Sequence, residues 1–270
     1  MEMRVLILGS GSGIPVMGHL NESVLVEVDE NSYLFDAGEP CAATMHTNTL
    51  LTFYGLEPQD TLPTVDIYSI KSIFISHFDA DHVGGLPMLL QVMHLWQKRG
   101  DAFRFKPENE VKLYLPADVL TIFRSLLHAL NLAKLRYSLE ILPVKEGELY
   151  VDEKVRVSAV RNTHLKDGRS YSFTLQAEEK RVVYSGDLGN EFEALHLLDE
   201  YVDLAIIECA HFSPERLFRS LQQKEKNIRR LVVNHIHPSL YGREEEVERL
   251  GRDYLNCEVI VGRDNLELDL

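Results

Sequence analysis

Short apolar runs recur along the whole chain, and most of them stop at a polar or glycine-bearing tip. Residues 4–8, 23–28, 32–36, 73–75, 111–115, 138–142, 155–160, 171–176, 181–185, 204–208, 231–235 and 259–261 read as strands. Asp29, Glu30 and Asn31 join two of these runs as a hairpin. Amphipathic spacing places helices over residues 38–48, 86–98, 117–135, 191–198, 214–223 and 243–255, with Pro87 acceptable in the first turn of the second. Loops are expected through Pro58 and Pro63 and over residues 99–109. Both halves run strands and then helices, and no Gly/Ser/Pro-rich linker divides them. The pattern predicts one domain over residues 1–270, a layered α/β (α+β) fold of two sheets with helices on the outer faces.

With 270 residues, 45% of them hydrophobic, the chain can bury a substantial core. Its 28 Lys and Arg against 42 Asp and Glu leave a formal charge of −14, a field that repels long polyanions unless a local basic patch overrides it. Binding of long nucleic acid is therefore not expected. No apolar stretch reaches the length of a membrane span, and the first apolar run is broken by glycines, unlike a signal peptide, so a cytoplasmic protein without membrane association is expected. Cys41, Cys209 and Cys257 are far apart and form no Cys-x-x-Cys pair, which argues against a disulfide framework and a thiolate zinc knuckle. The glycines of Gly9-Ser10-Gly11-Ser12-Gly13 miss the dinucleotide fingerprint, because Ile14 stands at its last glycine. They read equally as a turn or as a tight loop at the mouth of a site.

The chemistry concentrates in residues 76–87, where His77, Asp79, Asp81 and His82 follow an apolar strand. A helix cap needs only one short polar side chain, whereas two imidazoles and two carboxylates at a strand end are what a hard or borderline cation requires. Three further metal-capable residues sit at strand tips: His164, Asp187 and His235. Together the seven amount to a ligand set for two metals. Asp36 reads as a turn former somewhat better than as a support for a ligand. Glu208 reads nearly equally as a buried support or as a solvent-facing strand end. His94 and His128 read as ordinary packed or surface residues.

The ordered series His77-x-Asp79-x-Asp81-His82, His164, Asp187 within Tyr184-Ser185-Gly186-Asp187, and His235 resembles the motifs of the metallo-β-lactamase superfamily. Leu8-Gly9-Ser10-Gly11 and Tyr33-Leu34-Phe35-Asp36-Ala37-Gly38 resemble the opening of its ribonuclease Z and cyclic-nucleotide phosphodiesterase branches. The resemblance implies an αβ/βα sandwich of two mixed sheets with a binuclear centre. His77, Asp79 and His164 would hold one metal, Asp81, His82 and His235 the other, and Asp187 would bridge them. The family carries histidine where this chain has Asp79. A harder ligand there favours manganese or iron relative to zinc. The implied cofactors are thus two divalent ions, zinc or manganese, with iron also suited.

Such a pair activates a water for attack on phosphorus, with Asp81 orienting it and His237 or His211 as candidate acids. The segment Asn234-His235-Ile236-His237-Pro238-Ser239 is similar to the phosphodiesterase type, with His237 at a lysine position, and Ile207-Glu208-Cys209-Ala210 departs from ribonuclease Z. A small phosphodiester, such as a cyclic nucleotide, is the expected substrate. The alternatives are a ribonuclease Z-like nuclease, an ester, lactone or thioester hydrolase, and a non-catalytic metal-binding sensor or scaffold. Apolar surface on residues 86–96 and 117–135 is compatible with a homodimer.

Overall fold

The computed structural model describes residues 1–96 and 110–270. The expected loop over residues 99–109 and the last two residues of the expected helix 86–98 lie outside the described residues. Strands β1 (Met3–Gly9), β2 (Ser23–Val28), β3 (Asn31–Phe35), β4 (Ile70–Phe74), β5 (Glu110–Leu115) and β6 (Ser138–Pro143) lie side by side in that order. Strands β7 (Gly147–Val151), β8 (Arg156–Asn162), β9 (Ser170–Ala177), β10 (Lys180–Tyr184), β11 (Leu204–Cys209), β12 (Arg230–Ile236) and β13 (Glu258–Val261) form the second sheet. The last strand, β14 (Leu266–Asp269), returns to the first sheet and pairs with β1. Both sheets are mixed: β3 to β6 and β10 to β13 run parallel, and the remaining neighbours are antiparallel.

Period-two alternation sorts the apolar side chains into three layers. Val5, Ile7, Val24, Val26, Val182 and Ile206 belong to the core between the sheets. Their chain neighbours Leu6, Leu8 and Leu25 belong instead to a core shared with helices α1 (Cys41–Phe53), α3 (Leu86–Trp96) and α4 (Leu120–Ala129), where α2 is the short turn Ala80–Val83. On the second sheet Val183, Ala205, Ile207 and Val233 face away toward α5 (Ala194–Leu197), α6 (Pro214–Leu221) and α7 (Glu244–Tyr254). The result is the αβ/βα sandwich, with helices outside and an apolar seam within.

Aromatic residues at three strand ends tie the sheets together beneath the polar tips. Phe35 stacks on Phe74 with ring centroids 5.2 Å apart and lies 5.8 Å from Tyr184 across the sheet interface. These rings precede Asp36, the Ser76-His77 tip and the Gly186-Asp187 tip respectively. Their close packing fixes where those tips emerge.

The strand runs read from the pattern all recur, and β7 and β14 are additions. Each of the two is an edge strand with only one buried residue, Tyr150 or Leu268, and its apolar run is short, Leu149-Tyr150-Val151 in β7 and two leucines alternating with acids in β14. The helix expected over residues 117–135 ends at Ala129, because Asn131 takes a left-handed backbone (φ 60°) that closes it. That expected over 191–198 shrinks to the single turn Ala194–Leu197. Among the described residues, no helix is long and apolar enough to cross a membrane.

Candidate metal centre

Strand ends of both sheets deliver the site. Residues just past β4 carry Ser76 and His77, α2 carries Asp81 and His82, and β8, β10, β11 and β12 lead to His164, Asp187, His211 and His235. The parallel strands present their carboxyl ends here, the usual place for a ligand site in such sheets. Gly186 has φ 55°, and a Cβ on it would lie 2.7 Å from Ser76 Cβ. Only glycine lets the two sheets' tips approach this closely.

Every one of the seven metal-capable residues expected from the sequence converges. Asp187 lies at the centre: its Oδ2 is 3.7 Å from His77 Nε2 and 3.7 Å from His164 Nε2, while its Oδ1 is 3.3 Å from His82 Nε2 and 3.2 Å from His235 Nε2. Asp79 Oδ2 lies 3.6 and 3.8 Å from the Nε2 atoms of His77 and His164. Asp81 Oδ2 lies 3.7 Å from those of both His82 and His235. Four groupings have all donor atoms within 4.8 Å of one another: His77-Asp79-His164, His77-His82-Asp187, Asp81-His82-His235 and His164-Asp187-His211.

Most of these separations exceed a hydrogen bond, the two shortest, to Asp187 Oδ1, lack its geometry, and all match the edge of a donor shell. Ligands at about 2.1 Å around a tetrahedral cation sit ~3.4 Å from each other. Accordingly, the buried atoms His77 Nε2, His82 Nε2 and Asp187 Oδ1 have no hydrogen-bond partner among the described residues. Burying three polar atoms unsatisfied costs several kcal/mol, of order 1–3 for each, which a cation would offset. The donor set of imidazoles and carboxylates fits a divalent metal.

Behind the ligands stands a set of acceptors. Asp36 is fully buried at φ 55°, and its Oδ2 accepts hydrogen bonds from His82 Nδ1 (2.7 Å), Ser76 Oγ (2.6 Å) and the Tyr184 hydroxyl (2.6 Å). The preference for Asp36 as a turn former is therefore corrected: the residue turns the chain and also anchors His82, one of the candidate ligands. Glu208 is buried, with Oε1 2.9 Å from His211 Nδ1 and 2.8 Å from the Leu188 amide, which removes the solvent-facing alternative. Glu22 carried no motif and was missed from the sequence. It is buried, accepts from Asn234 Nδ2 at 2.8 and 2.9 Å, and faces His235 Nδ1 at 3.4 Å. It stands between Asn21 and Ser23, just before the apolar run of β2, so no local pattern singles it out.

Charge is distributed to match. Burial opposes ionisation of Asp187, yet His235 and His82 hold it well below the usual carboxylate range. The imidazole of His77 lowers Asp79. Burial leaves His164 below its ordinary value, whereas the hydrogen bond to Glu208 raises His211. Of the two candidate acids, His211 reaches the cluster, with Nε2 3.9 Å from Asp187 Oδ2. His237 does not join these groupings: it is exposed, and its Nδ1 accepts the Ser239 amide at 3.2 Å, leaving Nε2 to carry the hydrogen. The Gly9–Gly13 loop takes the second of its two readings. A Cβ on Gly13 would lie 3.4 Å from Asp81 Oδ2, so the loop borders the site.

Fold and donor set together define a protein of the metallo-β-lactamase superfamily, in its ribonuclease Z and phosphodiesterase-like branch. Residues 3–223 match the model of the family described as anti-Pycsar protein Apyc1, and the chain belongs to that family. Ribonuclease Z of Picrophilus torridus is 28% identical over 169 residues, 62% of this chain and 46% of that protein. The chain spans about half the length of the curated relatives it matches. Among solved structures, the metallo-β-lactamase fold protein YhfI of Bacillus subtilis superposes with a TM-score of 0.75 at 14% identity, covering 100% of both chains. Zn(2+)-bound PqqB of Methylobacterium extorquens does so with a TM-score of 0.68 at 18% identity, over 99% of this chain and 100% of that one.

Proposed function

We propose that the chain is a metal-dependent hydrolase holding two divalent cations. One would lie among His77, Asp79 and His164, the other among Asp81, His82 and His235, with Asp187 between. The observation that carries this reading is the division of the Asp187 carboxylate, Oδ2 toward one pair of imidazoles and Oδ1 toward the other. Zinc and manganese both suit this mixture of nitrogen and oxygen donors, and iron is compatible with it.

Bound there, the cations would supply an activated water and neutralise charge on a phosphoryl group. The protein's own part is orientation and proton transfer. Asp81, beside Gly13 at the open side, orients the attacking water through its carboxylate. His211, charged more readily because Glu208 accepts from its Nδ1, donates from Nε2 to the leaving oxygen. His237, at the N-terminal end of the turn Pro238–Leu240, offers its Nε2 hydrogen to a phosphate oxygen.

The substrate is a small phosphodiester, with a cyclic nucleotide the leading choice. Support comes from the formal charge of −14 and from the state of Arg169, whose guanidinium pairs with Asp118 and Asp167 and so offers little to a polyanion. The matches to ribonuclease Z favour precursor transfer RNA as a second reading. Hydrolysis of bis(p-nitrophenyl) phosphate, a panel of cyclic nucleotides, p-nitrophenyl acetate, a lactone and a precursor transfer RNA separates the readings. Turnover confined to carbonyl compounds would overturn the phosphodiester assignment. Efficient cleavage of the RNA alone would move it to the second reading. Retained metal without hydrolysis of any of these would leave a metal-binding sensor.

A further inference from the structure

The two halves of the centre present the same donors. Asp79, standing where an imidazole is usual, gives the first position two imidazoles, a carboxylate of its own and one oxygen of Asp187, which is what the second position has in His82, His235, Asp81 and the other oxygen. Neither ligand softness nor formal charge can rank them.

They differ in what stands behind. Both imidazoles of the second position face carboxylates through Nδ1: His82 is hydrogen-bonded to Asp36 at 2.7 Å, and His235 lies at ion-pair distance from Glu22, 3.4 Å, without a hydrogen bond. In the first position His77 Nδ1 meets the Ser76 hydroxyl, at 3.0 Å, and among the described residues the carboxylate ion pairs of His77 and His164 are all made through Nε2, none through Nδ1. A carboxylate behind an imidazole fixes the tautomer and raises the basicity of the ligating nitrogen. Exposure runs the same way: the Asp79 and His164 side chains are 55% and 14% exposed, against 17% and 3% for Asp81 and His235.

We propose that the two positions fill in order, the Asp81-His82-His235 position first and tightly, the His77-Asp79-His164 position second and weakly, so that free divalent cation gates the activity. The inference rests on the binuclear reading above. Glu22 is the residue private to the tight position, because Asp36 supports His77 as well, through Ser76.

Chelator-stripped protein titrated with Zn2+ against a chromophoric chelator gives the number of sites and their separate affinities. Two classes at least tenfold apart are expected. Asp79→Asn should abolish the weak class and Asp81→Asn the tight one. Glu22→Gln should weaken the tight class by about 10–100-fold and leave the weak class in place; should that variant fail to fold, the two aspartate variants carry the assignment. Two equal sites, or loss of the weak class in Asp81→Asn, would overturn the order of filling while leaving the binuclear reading intact. A single equivalent at saturating Zn2+ would overturn both.

Discussion

Asp36 Oδ2 and His82 Nδ1, both fully buried, lie 2.7 Å apart, and the same oxygen accepts from Ser76 Oγ at 2.6 Å, the hydroxyl that meets His77 Nδ1 at 3.0 Å. One carboxylate on the first sheet thereby orients an imidazole in each half of the centre. It also accepts from Tyr184 of the second sheet at 2.6 Å, so the anchor spans the sandwich. Its left-handed backbone is a local cost of order 1–3 kcal/mol, held by these bonds.

Asp36→Asn keeps the shape and changes one acceptor into a donor. Three hydrogen-bond donors converge on Oδ2, while Oδ1 accepts the Ser76 amide at 2.7 Å. An amide turned to satisfy Ser76 N–H would set its NH2 against the other three. Divalent-metal affinity should fall by about 10–100-fold and kcat/KM with it. Equilibrium dialysis with metal analysis measures the first, and an unchanged affinity would remove Asp36 from the metal support.

Gly186→Ala tests the approach of the two sheets. An added methyl meets Ser76 Cβ at 2.7 Å and the Tyr171 carbonyl at 2.9 Å, on a backbone of φ 55°. The combined strain and overpacking should cost about 2–4 kcal/mol of stability. Chemical denaturation of the metal-free variant reads this directly. A loss below about 0.5 kcal/mol would mean that the tips can separate freely.

The sequence made the candidate ligands legible and left the groups behind them obscure, and the reason is physical. His77, Asp79, Asp81 and His82 stand in one loop, and His164, Asp187 and His235 each end an apolar run, so local pattern suffices to find them. Glu22 acts on His235 across 213 positions of chain, and only the packing of β2 near the end of β12 brings them together. Asp36 has the same character: a turn-forming aspartate is common, and nothing local announces three donors arriving from elsewhere. His237 held a motif position and yet stands exposed outside the groupings, capping the turn Pro238–Leu240, a placement that its motif position does not reveal. Helix extents were overread where the hydrophobic spacing continued past a left-handed Asn131.

His211→Ala should separate turnover from metal binding. With the seven ligands untouched, metal content should stay at the wild-type value while kcat falls by about 10²–10⁴. The hydrogen bond to Glu208 outweighs burial and raises His211 above its ordinary value, so the protonated donor persists to higher pH and the rate declines as pH rises through that raised value. Glu208→Gln weakens this hold and should move the basic limb of the kcat profile to lower pH. Coincident limbs in wild type and Glu208→Gln would exclude His211 as the proton donor.

Metal binding should expel protons, and the stability of the metal-free chain should show where they come from. Burial opposes a charge on His235, but Asp187 and Glu22 hold it up at about 10, and His82 rises well above its ordinary value as Asp187 and Asp36 overcome its burial. At neutral pH both rings therefore carry a proton without metal, and a cation can take Nε2 only as that proton leaves. The folded values are raised, so the stability these imidazolium–carboxylate contacts contribute is full below about pH 6.5, the unfolded value, and lost as pH rises toward about 10. Metal-free protein should accordingly lose thermal stability over that window, while Zn2+ affinity rises as the competing protons depart. Calorimetry at neutral pH in buffers of different ionisation enthalpy should report about two protons released on filling the Asp81-His82-His235 position. Release of none, with a flat stability profile to pH 10, would mean that both rings are neutral before metal arrives and that the Asp187 carboxylate is balanced by other charges.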